Sequence, residues 1–87
     1  MAIDFGGYAR AKEVFRGKEV LTFYQSEAAK SALMRAQKEI TTEGMIVAEP
    51  MGEDGLSLTL YHKNADVGRE VARILFGQIR ELLSERR

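Results

Sequence analysis

The C-terminal third of the sequence changes within a few residues from an alternating apolar pattern to a helical one, and this change strongly constrains the fold. Residues 56–61, Leu-Ser-Leu-Thr-Leu-Tyr, alternate with a period of two, which predicts a strand with its leucines on the buried face. From Asp66 to about Glu85 apolar residues recur at helical spacing, which predicts an amphipathic helix capped by Asn64 or Asp66. A strand followed at once by a long helix indicates an α+β domain.

Length and composition leave room for one such domain. The chain has 87 residues, of which 45% are hydrophobic and 30% charged, as is typical of a single soluble globular domain. We expect residues 1–7 to form a flexible arm ahead of it. The 13 Lys and Arg residues balance 13 Asp and Glu residues, so no overall charge favours nucleic acid or an anionic membrane. We find no pattern of a signal peptide or membrane span, and we expect a cytoplasmic protein.

The residues before the alternating strand predict a hairpin and a second helix. The turn at residues 52–55, Gly-Glu-Asp-Gly, folds the alternating strand back on residues 45–50 and predicts a hairpin. Pro50 cannot donate a hydrogen bond to a neighbouring strand, so the strand that carries it is expected at a sheet edge. Residues 26–40 have an alanine-rich apolar stripe, which predicts a second helix capped by Ser26.

A four-residue motif that occurs twice suggests that the chain contains two similar units. Leu21-Thr22-Phe23-Tyr24 recurs as Leu58-Thr59-Leu60-Tyr61, and each copy follows a glycine-containing turn and precedes a helix. We therefore interpret residues 19–24 as a strand. The spacing in residues 8–15 fits either a helix or a strand, and analogy with residues 45–50 favours a strand. The alternative, in which residues 8–15 are helical, gives the order αβαββα.

The resulting order, ββαββα, predicts a two-layer α+β sandwich in which a four-stranded sheet carries both helices on one face. Residues 19–24 and 56–62 would be the parallel central strands. The strand with Pro50 would lie at one edge, and the strand with Arg10 and Lys12 at the other, because proline and charge discourage further pairing. This arrangement resembles a ferredoxin-like sheet with permuted connectivity.

The last helix has more apolar surface than one sheet contact requires. Its apolar arc covers about 200°, roughly twice what such a contact needs. Surplus apolar surface marks a contact with another protein or a second copy of the chain. The predicted partner-binding residues are Phe76, Leu83, Ala72 and Ile79. The alternative is that this arc is fully buried within one chain.

A second set of residues suggests nucleic-acid binding. If residues 19–24 form a strand, Tyr24 and Tyr61 share the uncovered sheet face, where aromatic side chains of RNA-recognition domains stack on bases. Basic residues that would contact phosphates are Lys63 and, on one stripe of the last helix, Arg69, Arg73 and Arg80. The alternative is that the tyrosines serve strand formation and that the arginines pair with neighbouring glutamates on a solvated helix face.

Catalytic patterns are sparse in this sequence. It has no cysteine and a single histidine, His62, which we interpret as a polar residue at a strand end. Glu49, Glu53 and Asp54 lack the spacing of a calcium loop. We expect no enzyme activity, no metal and no cofactor. The leading hypothesis is a small protein-interaction domain, dimeric, that regulates or inhibits a partner through an apolar helix face or the open sheet face. The alternative is a nucleic-acid-binding module.

Overall fold

The computed structural model describes residues 8–40 and 43–85, and the expected arm at residues 1–7 lies outside them. The described chain forms an antiparallel sheet of three strands in the order β1-β3-β2, together with three helices. This confirms the α+β class. In chain order the elements are β1 (Ala9–Arg16), α1 (Val20–Tyr24), α2 (Glu27–Ile40), β2 (Gly44–Pro50), β3 (Gly55–His62) and α3 (Ala65–Glu85).

The strand expected at residues 19–24 is not confirmed, because residues 20–24 form the short helix α1. Val20 and Phe23 are three residues apart and both are buried, which is the spacing of one helix face. β1 takes the place beside β3 that the missing strand was expected to fill. The four-stranded sheet with ββαββα order and permuted ferredoxin-like connectivity is therefore not confirmed: the sheet of residues 8–40 and 43–85 has three strands.

The strand interpretation of residues 8–15 and the hairpin prediction are both confirmed. β1 and β2 each pair antiparallel with β3, so Pro50 and the charged strand with Arg10 and Lys12 lie at the two edges of the sheet. Gly52 in the turn has φ +72°, a conformation that suits glycine. At the other end of β2, a methyl group on Gly44 would lie 2.2 Å from the carbonyl oxygen of Tyr61, so the close approach of β2 to β3 requires glycine there.

Side-chain caps begin the two long helices as the sequence predicts. The Ser26 hydroxyl accepts a hydrogen bond from the backbone N–H of Ala29 at 3.2 Å, at the start of α2. The Asn64 side-chain oxygen accepts from the N–H groups of Asp66 at 3.0 Å and Val67 at 3.1 Å, at the start of α3. These bonds satisfy donors that have no partner inside the helix, and they fix where each helix begins.

The core lies between one face of the sheet and the helices. The three leucines of β3 (Leu56, Leu58 and Leu60) are buried there, as the alternating pattern predicts, and they cluster with apolar residues of all three helices. Phe15 of β1 meets Phe76 of α3 in an edge-to-face contact, with ring centroids 6.2 Å apart. This arrangement leaves the other sheet face and the outer helix surfaces for possible contacts.

None of the helices in the described part of the chain combines the length and apolar character needed to cross a membrane.

Candidate functional site

A concave apolar surface lies between α2 and α3, and we call it the α2–α3 groove. Its volume is about 510 Å³. The apolar lining comes from both helices and consists of Ala36, Val67, Val71, Ile74 and Leu75. Of these residues Val67 is 41% exposed and Ile74 is 49% exposed, which is high for large aliphatic side chains. The groove is therefore a place where the described fold leaves aliphatic surface in contact with water.

Residue size and spacing explain why the groove forms. α2 presents Ala29, Ala32 and Ala36 to the core, and these small side chains fill little of the space between the two helices. On α3, Val67, Val71 and Ile74 follow one another at intervals of four and three residues, so they lie along one line of the helix. That line is the side of the wide apolar arc that α2 covers only in part.

The predicted partner-binding residues of α3 lie mostly on the inner side of that arc. Ala72, Phe76 and Ile79 are buried in the core, and Leu83 is half-buried. In the single chain these residues therefore pack against the sheet and the other helices, and the exposed apolar surface of α3 lies at Val67 and Ile74. Both residues belong to the helical stripe, but only the position of α2 shows which side of the arc stays open.

Charged residues surround the apolar lining of the groove. Glu39, Asp66 and Glu70 contribute carboxylates, and Arg35 contributes a guanidinium. Asp66 lies 3.8 Å from Arg69, and Glu70 accepts a short 2.5 Å hydrogen bond from Arg73. That hydrogen bond, together with the positive charge of Arg73, holds the pKa of the Glu70 carboxyl below its usual value. Glu70 consequently stays ionised, and the positive charges of Arg69 and Arg73 balance those of Asp66 and Glu70 at the edge of the groove.

The structure does not bring the two predicted stacking tyrosines together. Tyr61 lies on β3, on the sheet face that points away from the helices, where its neighbours in register are Arg10 and Met45. Tyr24 lies on α1 and lines a shallow depression with Leu33 and Ile46 on the helical side. The reason is the change of residues 20–24 from strand to helix, which moves Tyr24 to the other layer.

The basic residues expected beside those tyrosines are exposed, and each of the three arginines pairs with a carboxylate. Arg69 and Arg73 pair along α3 as described above. Arg80 donates to a carboxylate oxygen of Glu13, so this ion pair links α3 to β1. Lys63 follows the end of β3, where its backbone N–H donates to the carbonyl of Glu43 at 3.0 Å. Of these three pairs, Arg73–Glu70 is the one that joins an arginine to a neighbouring glutamate of the helix, as the alternative interpretation of the stripe predicts.

Comparison with family models, curated proteins and solved structures finds no match to this chain.

The single histidine, His62, lies at the end of β3 and is part of the packed interior. His62 is buried, and its Nδ1 accepts a hydrogen bond from the backbone N–H of Asn64 at 2.9 Å. A ring nitrogen that accepts from an N–H must carry a lone pair, so the proton of the neutral ring lies on Nε2. Within residues 8–40 and 43–85, no group of three His, Asp or Glu side chains is arranged to hold a metal ion.

The second surface is the sheet face opposite the helices, which we call the open sheet face. Ser57 and Thr59 lie along its centre and are buried despite their polarity, because larger residues on the two edge strands flank them. By register, this face consists of Arg10, Lys12, Val14 and Arg16 from β1, Ser57, Thr59 and Tyr61 from β3, and Met45, Val47 and Glu49 from β2. Its basic residues are concentrated on one edge strand.

Proposed function

We propose that this chain is a protein-interaction domain that holds an amphipathic helix of a partner protein in the α2–α3 groove. The observation that carries the proposal is the exposure of Val67 and Ile74 beside a buried aliphatic floor. Exposed aliphatic surface in a concave site is typical of helix-in-groove recognition, in which the apolar stripe of one helix lies between two others.

The dimensions of the groove fit a short helical segment. Val67 and Ile74 are seven residues apart on α3, which corresponds to about 10 Å or two helical turns. A partner helix of that length presents three or four apolar side chains at spacings of three and four residues. Burial of one aliphatic side chain contributes about 1.5–3 kcal/mol and association costs at least about 4 kcal/mol, so we expect an affinity no tighter than micromolar, about −8 kcal/mol.

The charges of the groove favour a basic partner. Three carboxylates and one guanidinium line it, and Arg69 and Arg73 pair with two of the carboxylates, Asp66 and Glu70. Lysine or arginine beside the apolar stripe of the partner would therefore find its opposite charge mainly at Glu39. Acidic flanks would meet like charge. Binding of this kind requires no chemical step at the groove. We therefore propose that the chain is a non-catalytic regulator or inhibitor. It would act by binding a helical segment of its partner protein.

Binding of designed peptides tests the proposal. The probe is a fluorescent peptide of about 18 residues, or five helical turns, with leucine at positions i, i+3, i+4 and i+7 and flanking lysines. A second peptide replaces the lysines with glutamates. We expect anisotropy titrations to show saturable binding of the lysine peptide and weaker binding of the glutamate peptide.

Two substitutions locate the binding site. Ile74→Glu places a charge in the groove and is expected to weaken binding of the lysine peptide at least about tenfold, because the charge must be desolvated when the peptide binds. Met34→Glu is the matched control, since Met34 is 63% exposed and lies outside the groove lining. Equal affinity for both peptides, or equal effects of both substitutions, would contradict the proposal.

A further inference from the structure

The open sheet face carries a row of cations along one edge strand. Arg10, Lys12 and Arg16 lie on β1 at even-numbered positions, so they share this face, and all three are exposed. We call them the β1 cation row. Glu13 of the same strand lies on the other face, where it pairs with Arg80. Within residues 8–40 and 43–85 no carboxylate forms an ion pair with the row, which therefore remains in contact with water.

The acidic group of this face lies on the opposite edge strand. Glu49 belongs to β2, and β3 separates β2 from β1. Neighbouring strands are about 4.8 Å apart, so the backbones of the two edge strands are about 10 Å apart. Three cations against one carboxylate give the face an excess of positive charge, and that excess follows β1. Its electrostatic potential therefore favours a polyanion that lies along β1.

An aromatic side chain lies beside the β1 cation row, on the central strand. Tyr61 of β3 is half-buried, and its neighbours in register are Arg10 on β1 and Met45 on β2. Met45 is 39% exposed, so apolar surface continues from the tyrosine ring towards the second edge. Moving across the face from β1, a ligand meets first positive charge and then aromatic and apolar surface. This order suits a ligand whose anionic groups and planar rings lie side by side.

We infer that the open sheet face binds single-stranded nucleic acid, with phosphates along the β1 cation row and a base stacked on Tyr61. A row of cations that follows the backbone and an aromatic ring that stacks on a base are the two components of sequence-tolerant single-strand binding. An acidic peptide matches the charge but has no base to stack. The row spans six residue steps, or about 20 Å, so a segment of a few nucleotides covers it.

The number of cations sets the salt dependence of this binding. Each phosphate contact releases condensed counterions, and for single strands the logarithm of the binding constant falls by about 0.7 per contact for each tenfold rise in salt. Three contacts give a slope of about −2. Raising the salt from about 0.05 M to 0.5 M should therefore weaken binding about a hundredfold. With three cations and one stacked base we expect weak binding that is measurable at low salt.

Fluorescence anisotropy with the full chain tests this inference. The probe is a labelled uridine oligonucleotide of about ten nucleotides, within the range of about 4–16 that single-strand sites cover. An abasic oligomer of the same length keeps the phosphates and removes the bases, and a polyglutamate of equal charge represents an acidic peptide. We expect saturable binding of the oligonucleotide, and binding of both comparison polymers at least about fivefold weaker. No binding at low salt, or equal binding of all three polymers, would overturn the inference.

Removal of charge locates the phosphate contacts. Replacement of all three residues of the β1 cation row by glutamine should weaken oligonucleotide binding at least about tenfold and make the salt slope shallower. The matched control is Lys30→Gln with Arg35→Gln and Lys38→Gln, which removes the same charge from exposed positions of α2. We expect the control to retain the steep slope and most of the affinity. Equal losses in the two variants would mean that net charge alone governs binding, and the inference would be wrong.

Substitution of Tyr61 tests the stacked base. Tyr61→Phe keeps the ring and should bind within about twofold of the natural chain, whereas Tyr61→Leu should bind at least about fivefold more weakly. In the natural chain, stacking should move the NMR signals of the Tyr61 ring protons upfield, and unmoved ring signals at saturation would overturn the inference even if the leucine variant does not fold. Ile74→Glu in the α2–α3 groove should leave oligonucleotide binding unchanged. If it abolishes binding, the oligonucleotide occupies the groove and the inference is wrong.

Discussion

At the scale of single residues, two glycines of α3 differ in what a methyl group would meet. A methyl group on Gly68 would lie 2.7 Å from the Cβ of buried His62, whereas on Gly77 its nearest contact would be Arg80 Nη2 at 3.9 Å. Gly77→Ala should therefore raise the free energy of unfolding by about 1 kcal/mol through helix propensity. Gly68→Ala should lower it by about 1 kcal/mol, because the overlap outweighs the same gain. Urea unfolding measures both, and shifts in the same direction would contradict the packing of α3 on His62.

Glu70 provides a prediction for pH. Its pKa lies below the ordinary value of 4.5, first because Arg73 donates a hydrogen bond to it and second because of the charge of Arg73. A lowered pKa means that the ion pair stabilises the fold above pH 4.5, and that this stabilisation is lost as the pH falls through the folded-state value. Titration followed by NMR should place the Glu70 pKa below 4.5, and Arg73→Gln should raise it. The same Glu70 pKa in both proteins would show that the pair does not form in solution.

At the scale of elements, the cap of α3 joins the end of β3 to the helix. Asn64→Ala removes the acceptor for two helix N–H groups and should lower the free energy of unfolding by about 1 kcal/mol. Asn64→Ser retains a capping oxygen and should recover most of that loss. Thermal or urea unfolding of the two variants decides this, and an equal loss in both would show that the cap contributes little.

The elements that the sequence predicts correctly are those for which residue spacing, caps and turn residues all indicate the same structure. The alternation in β3, the caps at Ser26 and Asn64, and the edge position of Pro50 all follow from nearby residues. For residues 20–24 the local pattern gives the wrong element. Val-Leu-Thr-Phe-Tyr has high strand propensity and alternates like β3, which predicts a strand. The same residues place Val20 and Phe23 on one side of a helix. Whether residues 20–24 form a strand or a helix depends on the pairing of β1 with β3. That pairing joins distant segments of the chain, so a pattern of five residues does not predict it.

At the scale of the whole molecule, the fold divides the apolar arc of α3 into a core side and a groove side. The sequence shows the width of the arc, but the division depends on where β1 and α2 pack against it. Phe76 was therefore expected at a partner surface, whereas it meets Phe15 in the core. Phe76→Ala should lower the free energy of unfolding by about 3–5 kcal/mol. Ile74→Ala, at a half-exposed position, should cost less than about 1.5 kcal/mol. Equal losses in urea unfolding would contradict this division.

The proposed function depends on the α2–α3 groove of the helical layer. The groove is the central claim, and chemical-shift mapping tests it most directly. In a titration of ¹⁵N-labelled protein with the lysine-flanked leucine peptide, the largest backbone shifts should follow the groove sides of α2 and α3, from Arg35 to Glu39 and from Asp66 to Gln78. Shifts concentrated on β1 and β2, or none at saturating peptide, would contradict the account.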